Sequence, residues 1–472
     1  MDGLMTSMIL KGEKEMISYL KRWLTIVAGV FLLVALGPQM VTAEERTLPL
    51  NGVVHGELTA EQNRQTYTLQ VTETGNVTID FTTMVDDTVN IVFQDGMNNP
   101  IYNTWISGSA SSPGRKVMSW DLEAGEYQFI VYDDSYRTNQ GKFTIKTSFT
   151  SVKTDDIEPN NGTAEAQPLK FGQTTKGFLS VQDEVDVYEV KLTKAGRLHL
   201  NLSTYVDDTL RVSLTDDMNQ QAFYESISGS KKNPGKFVHY IDLEAGTYHI
   251  SIQDGGPYST DTGMYQLKST FVPALNQEAE PNNGSVEAKL FPFYQSRTGF
   301  LSWNDSVDVY KIVIPKTSKV GIDLTSYVDE KAILTLYDVD NIKVIEDYVY
   351  GSTKAPGRAK KSVTLTRGTY YLSISDGPWQ SETGKYLLKV TSSHLLPVVT
   401  VNSVTARSTK VSGKTEKGAT VTMTIGKKSY KRTADAKGNY SFSISKQKAG
   451  TSIKISSKNK YGTSVKSVKV SK

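Results

Sequence analysis

Four short motifs recur along this chain in constant register, and that register constrains the fold more than any other feature. Gly56-Glu57-Leu58, Gly177-Phe178-Leu179 and Gly299-Phe300-Leu301 stand 121 and 122 residues apart. The same two steps relate Val85-Asp86-Asp87, Val206-Asp207-Asp208 and Val328-Asp329-Glu330, and also Pro113-Gly114, Pro234-Gly235 and Pro356-Gly357. Leu122-Glu123-Ala124-Gly125 returns as Leu243-Glu244-Ala245-Gly246 and, more loosely, as Leu365-Thr366-Arg367-Gly368. A chain of 472 residues is too long for one core, and here it divides into three copies of one module.

Inside each copy the apolar period is two. Tyr188, Val190 and Leu192 alternate with polar residues, as do Leu198, Leu200 and Leu202, and Tyr248, Ile250 and Ile252. Such alternation, broken by Gly, Pro, Asn and Asp clusters, predicts half-buried strands joined by turns. No helical period is evident after residue 43. Each copy is expected to be an antiparallel β-sandwich of about eight strands that closes its own core, like a bead on a string. The expected spans are 46–150, 154–272 and 276–393. A fourth, smaller sandwich over 397–472 is expected from the short strands at 419–425, 440–444 and 452–456.

The N-terminus speaks to compartment. Lys21-Arg22 precede an apolar run from Trp23 to Leu36, followed by Gly37-Pro38 and Val41-Thr42-Ala43. That order predicts a secretory signal peptide over 1–43, with Met16 as an alternative start. The run is shorter than a membrane span requires, and no later stretch approaches that length, so no span is expected in the mature chain. With no cysteine, disulfides, thiolate metal ligands and a Cys nucleophile are excluded.

Charge is unevenly distributed. Residues 396–472 hold 17 of the 53 basic residues and two of the 50 acidic ones, a balance of +15 against −12 for the rest. Lys427, Lys428, Lys431 and Arg432 gather around Tyr430, and they are the expected surface-binding residues. For an exported chain the partner expected here is an anionic cell-wall polymer rather than nucleic acid.

The second and third copies open with Asp156-Ile157-Glu158-Pro159-Asn160-Asn161 and Glu278-Ala279-Glu280-Pro281-Asn282-Asn283. Each is followed by a Gly-Phe-Leu-Ser strand and then by Asp183-Glu184-Val185-Asp186-Val187-Tyr188 or Asp305-Ser306-Val307-Asp308-Val309-Tyr310. These paired motifs resemble the bacterial pre-peptidase C-terminal domain, a jelly-roll sandwich that also serves as a collagen-binding domain. The resemblance is direct over 154–393 and reaches 46–150 through the internal repeat. It implies calcium as a cofactor, held by Asp156, Glu158, Asn160, Asp183 and Asp186 in the second copy. In the third, it implies Glu278, Glu280, Asn282, Asp305 and Asp308. Calcium takes six to eight oxygen ligands in irregular geometry, which suits these residue types. The alternative reading of Glu-Pro-Asn-Asn is simply a turn. In the first copy Gln62 and Gln65 stand at the aspartate positions, and no calcium is expected there.

The tail resembles bacterial immunoglobulin-like domains of surface proteins through Val411-Ser412-Gly413-Lys414-Thr415-Glu416-Lys417-Gly418-Ala419-Thr420-Val421 and Asp435-Ala436-Lys437-Gly438-Asn439-Tyr440. The full expectation is therefore an all-β chain: three tandem antiparallel jelly-roll-like β-sandwiches plus a small C-terminal immunoglobulin-like sandwich.

No enzyme is expected and no catalytic residue is assigned. The five histidines form no His-Glu-x-x-His pair, and neither a Gly-x-Ser-x-Gly elbow nor a phosphate loop occurs. The best acidic pair, Asp86-Asp87, recurs in every copy, which points to architecture rather than to one catalytic cleft. Tyr136, Tyr258 and Trp379 recur on the loop before each copy's last strand, where an aromatic could stack on a sugar or peptide; they are the expected ligand-binding residues. The function expected is that of a secreted, monomeric, cell-surface-associated binding or adhesion protein for an extracellular polysaccharide or protein. The alternative is a structural spacer or an accessory region of a secreted hydrolase system.

Overall fold

The computed structural model describes residues 46–133, 139–255, 261–377 and 382–472, so the signal segment and Tyr136, Tyr258 and Trp379 lie outside the described residues. Among the described residues every regular element is a strand. Two compact units result: one is built on residues up to 150, and the other runs from 151 to 472 and also takes in 74–76 and 120–123.

In the second repeat a five-stranded sheet has the order Gln167–Pro168, Val185–Leu192, Gly246–Asp254, Asp208–Asp216, Gln221–Gly229. A four-stranded sheet has the order Thr174–Leu179, Gly263–Pro273, Gly196–Thr204, Gly235–Leu243. The first and third repeats reproduce both orders. Nine strands therefore stand where about eight were expected, and one pairing departs from the antiparallel rule. The short opening strand lies parallel to the second strand of its sheet, with Gln167 opposite Tyr188, Lys289 opposite Tyr310 and Arg46 opposite Tyr67. Two or three residues are too few to show a period of two, which is why the pattern did not reveal them.

The alternation seen in the sequence is the burial pattern observed. Leu198, Leu200, Leu202, Tyr248, Ile250 and Ile252 all lie in one core between the two sheets of the second repeat. A separate core fills the third repeat, and a third one the C-terminal domain. That domain pairs Lys410–Lys414 with Asn439–Ser443 and sets against them a four-stranded sheet of Lys428–Thr433, Thr420–Ile425, Ser452–Asn459 and Gly462–Lys469.

The recurrent acidic pair proves to be a turn. Asp87, Asp208 and Glu330 open equivalent strands with φ of 73°, 79° and 65°. Asp tolerates that left-handed backbone better than most side chains do, which accounts for its recurrence without any chemistry.

Within the second unit the repeats are less bead-like than expected. The main-chain N–H of Trp303, in the third repeat, donates to Asp242 O in the second at 2.8 Å. The Trp303 ring packs against the second repeat's core. Likewise Tyr461 of the C-terminal domain packs edge-on against Phe293 of the third repeat.

One glycine of the Gly-Phe-Leu motif carries a packing demand. A Cβ on Gly299 would come within 2.0 Å of Tyr386 Cζ, and one on Gly177 within 2.1 Å of Tyr265 Cζ. Both tyrosines are fully buried, so neither can retreat without opening the core. Gly299→Ala should destabilise the chain by about 1–3 kcal/mol in a denaturant or calorimetric melt. Gly284→Ala, where a Cβ meets only a Glu287 carboxylate oxygen at 3.7 Å, should leave the melt unchanged.

Candidate metal centres

The opening motif and the aspartate pair, some 25 residues apart in sequence, converge at one end of each of the second and third sandwiches. Asp186 and Asp308 begin the strands Val185–Leu192 and Val307–Ile314 on their inward side, and both side chains are fully buried. The opening segment folds over them through the Asn160 and Asn282 carbonyls, which accept the N–H groups of Val187 and Val309 at 2.9 and 2.8 Å. Carboxylate oxygens of Asp156, Glu158 and Asp186 come to lie within 4.8 Å of one another, as do those of Glu278, Glu280 and Asp308.

A fourth carboxylate joins each group from the turn before the strand. The Asp183 carboxyl is pushed up to about 8 by burial and by the charges of Glu158 and Asp156, among other neighbours. Burial, with Glu280 and Glu278 nearby, pushes Asp305 up to about 7. Burial and the charges of Asp156 and Asp183 raise Asp186 to about 9, and burial with Glu278 raises Asp308 well above the carboxylate range.

Hydrogen bonding accounts for only part of this buried polarity. Asp156 accepts from Phe178 N at 2.9 Å, from Tyr188 at 2.9 Å and from Asn160 Nδ2 at 3.2 Å. The Tyr265 hydroxyl donates to Asp186 Oδ2 at 2.6 Å, and Tyr386 does the same for Asp308 Oδ2. Yet Asp186 Oδ1, Asp183 Oδ2, Asn160 Oδ1, Asp308 Oδ1, Asp305 Oδ2 and Glu278 Oε2 are buried with no hydrogen-bond partner. Unpaired carboxylate oxygens out of water are costly, and native proteins rarely keep them without a compensating charge.

Proton counting bears on the same charge in the second repeat. The oxygens of Asp186, Tyr265, Tyr188 and Asp156 form a row with spacings of 2.6, 2.6 and 2.9 Å. Two hydroxyl hydrogens cannot fill three short contacts, so this row is satisfied while one carboxyl keeps its proton, and a cation could replace that proton's charge but not its hydrogen bond. The donor set is all oxygen and mostly carboxylate, and its open valences face one another. These clusters could hold a metal ion, and their chemistry is that of a hard divalent cation such as calcium.

The first repeat builds the same corner differently. Gln65 occupies the Asp186 position, buried, donating to Glu57 O at 2.6 Å and accepting from Tyr67 at 2.7 Å. Gln62 accepts from Arg46, whose guanidinium also lies beside Tyr67. Phe143 replaces the tyrosine that would have addressed an aspartate. Amides and a built-in cation stand there in place of four carboxylates.

Several contributors escaped the sequence reading. Asn161 and Asn283, with their amide nitrogens turned inward, donate to Asp183 and Asp305 at 2.8 Å. The tyrosine pairs 188/265 and 310/386 bridge the two sheets at 2.6 Å. Their signal was present, since Tyr265 and Tyr386 share one register position that is Phe143 in the first repeat.

The basic residues of the C-terminal domain do not form one surface. Lys428, Tyr430 and Arg432 pair with Ile425, Met423 and Val421 and so share the core side of an exposed edge strand. Lys431 points to the opposite face, the one that also carries Lys454 and Lys458 two strands away, and Lys427 sits in the turn.

Residues 397–471 match the family model described as Bacterial Ig domain, and this part of the chain is a bacterial Ig domain. Collagenase ColA of Clostridium perfringens is 26% identical over 308 residues, a match covering 58% of this chain and 27% of the collagenase. The chain thus spans about a quarter of that relative. A crystal structure of the pre-peptidase C-terminal domain of a Bacillus anthracis collagenase is 19% identical, covers 22% of this chain and 95% of its own, and overlays with a TM-score of 0.19. A calcium-stabilised adhesin with which an Antarctic bacterium binds ice is 11% identical, covering 89% and 98% of the two chains at a TM-score of 0.15.

The raised carboxyls fix the sign of a pH effect. In chelator the folded chain retains protons, at pKa values of about 8 on Asp183 and 9 on Asp186, that the unfolded chain sheds near pH 4. Their stabilising contribution is present in acid and lost as pH rises through the folded values. The melting temperature in chelator should therefore fall between about pH 5 and about pH 9, and excess calcium should flatten that slope. A chelated melt that rises with pH would contradict the cluster as described.

Proposed function

We propose that the chain is a secreted, envelope-associated, non-catalytic binding protein whose second and third sandwiches take their working shape with calcium bound. The observation carrying this reading is the set of buried carboxylate oxygens without partners that, among the described residues, belong to those two repeats, and their replacement by glutamines and Arg46 in the first. Asp156, Glu158, Asn160, Asp183 and Asp186 would hold one site, and Glu278, Glu280, Asn282, Asp305 and Asp308 the other. Calcium supplies there the positive charge that lets all these carboxylates ionise together. The protein's own part is to orient them, through Tyr188, Tyr265, Tyr310 and Tyr386, and to keep water out.

The tandem arrangement suits avidity for an extracellular polymer, since several weak sites on one chain bind together. The Ig domain adds attraction to anionic wall polymers through the outer face carrying Lys431, Lys454 and Lys458. Such attraction is screened within about 8 Å at physiological salt. The partial likeness to a collagenase favours a second reading, an accessory region of a secreted hydrolase system.

Calorimetric titration tests the first point: the unaltered chain should take up calcium at two sites, and D186N and D308N should each remove one. Failure to take up calcium would end this reading. Co-sedimentation with purified cell walls tests the second. Retention should fall steeply with added salt and should be largely lost in a Lys431→Glu, Lys454→Glu, Lys458→Glu variant, whereas salt-indifferent retention would exclude the basic face. Co-sedimentation with collagen or polysaccharide separates the polymer reading from that of a spacer.

A further inference from the structure

The second repeat places a fifth acidic side chain at the third repeat's cluster. Glu244 lies in the turn between the strands Gly235–Leu243 and Gly246–Asp254, within the same compact unit as that cluster. The turn is held against the loop 302–305 by bonds from both sides. Trp303 N donates to Asp242 O at 2.8 Å, and Glu244 N donates to Asn304 Oδ1 at 3.0 Å. Asn304 Nδ2 in turn donates to the Tyr248 hydroxyl at 2.9 Å, and that hydroxyl donates to Glu244 O at 2.9 Å. Thr383 donates to Asp242 Oδ2 at 2.9 Å, and Arg197 spans Asp242 and Asp329.

This framework fixes the Glu244 backbone and leaves its carboxylate facing like charge. Oε1 is buried without a hydrogen-bond partner. Burial, with the charges of Asp305 and Glu280, pushes the Glu244 carboxyl up to about 7. Its neighbours are the Ser302 hydroxyl, Glu280 and Asp305, whose side chain is 4% exposed with Oδ2 likewise without a partner, and Asp305 in turn faces the fully buried Asp308 of the same cluster. Arg197, the arginine of this junction, is already paired with two aspartates.

The repeat register carries an independent argument. Glu123 and Glu244 hold the same position in the first and second copies, and each of those copies is followed by a module with an acidic cluster. The third copy has Thr366 there, and the Ig domain that follows has no comparable cluster among the described residues. The glutamate thus goes with the neighbour's site and not with its own module's, since the first copy has Glu123 but no carboxylate cluster.

We infer that Glu244 is a cation ligand lent by the second repeat to the third repeat's site, so that binding a divalent cation clamps the junction between the two modules. The inference rests on the calcium reading proposed above and extends it from the stability of single modules to the stiffness of the tandem. Within it, cation removal frees the turn from the cluster, and the linker from Pro273 to Gln277, already largely exposed, gains the local freedom to unfold that a protease needs.

Calcium titration of the full chain by calorimetry tests this, in a D186N background so that only the third repeat's site is read, with a two-site fit to the chain lacking D186N as the second measurement. E244Q should weaken that site by about tenfold or more. The variant should melt no lower than its parent in chelator, since it removes a repulsive charge, and should gain less from calcium. Proteolytic nicking between 273 and 277 should be slow for the parent in calcium, and faster for E244Q under the same conditions. An E244Q chain with unchanged calcium affinity and unchanged linker protection would overturn the inference while leaving the calcium sites standing. A parent chain that binds no calcium would sink both.

Discussion

A buried carboxylate beside a buried tyrosine, at the end of a sandwich, is the interaction on which the second and third repeats depend. Asp186 and Asp308 are fully enclosed, and each is held by a hydroxyl from the opposite sheet, Tyr265 or Tyr386, at 2.6 Å. Those tyrosines have room to reach across only because Gly177 and Gly299 lack a Cβ. The glycine, the tyrosine and the aspartate therefore form one unit, which ties the Gly-Phe-Leu motif to the chemistry of the corner it borders. In the first repeat the glycine stays, as Gly56 against Phe143, but the polar part of the unit is replaced. Gln65 replaces the aspartate, Phe143 the tyrosine, and Arg46 supplies a fixed positive charge.

Clustering carboxylates in this way raises the free energy of the cation-free protein, because burial and mutual repulsion both oppose ionisation. Either protons or a cation must neutralise the group. Protons suffice in acid, whereas at the pH of most extracellular fluids a divalent cation does so with less distortion, and its binding free energy becomes folding free energy. Such a module would be stable where calcium is plentiful and weakened where it is scarce. That suits the export proposed from the N-terminal pattern.

The linkage between repeats follows from the same electrostatics. Sandwiches joined by short linkers would sample many orientations if nothing but chain connected them. Here a hydrogen-bonded turn brings Glu244 to a cluster in the next module, and Arg197 bridges Asp242 and Asp329 across the same junction. A held junction within this unit keeps the surfaces of its two modules at a defined spacing, which is what multivalent attachment to a polymer requires.

The triplication, the all-β class and the alternating core were legible in the chain because strand periodicity and motif register are local properties of sequence. Leu198, Leu200 and Leu202 read as one inward face and are one. The acidic candidates were carried over from the resemblance of the two paired motifs to a known family, each motif being a short local segment: Asp183 and Asp186 in one turn and strand, Glu158 and Asn160 in another. What brings those two segments together is the parallel opening strand, whose two residues are too short to leave a pattern. Tertiary structure alone also showed that the strand Lys428–Thr433 divides its basic residues between two faces, since pleating sends neighbours to opposite sides. The contribution of Glu244 was visible only as a repeated motif until folding set it, through space, against residues of another module. Sequence determines which face of each strand is apolar; only the packing of whole modules decides which charges must share a site.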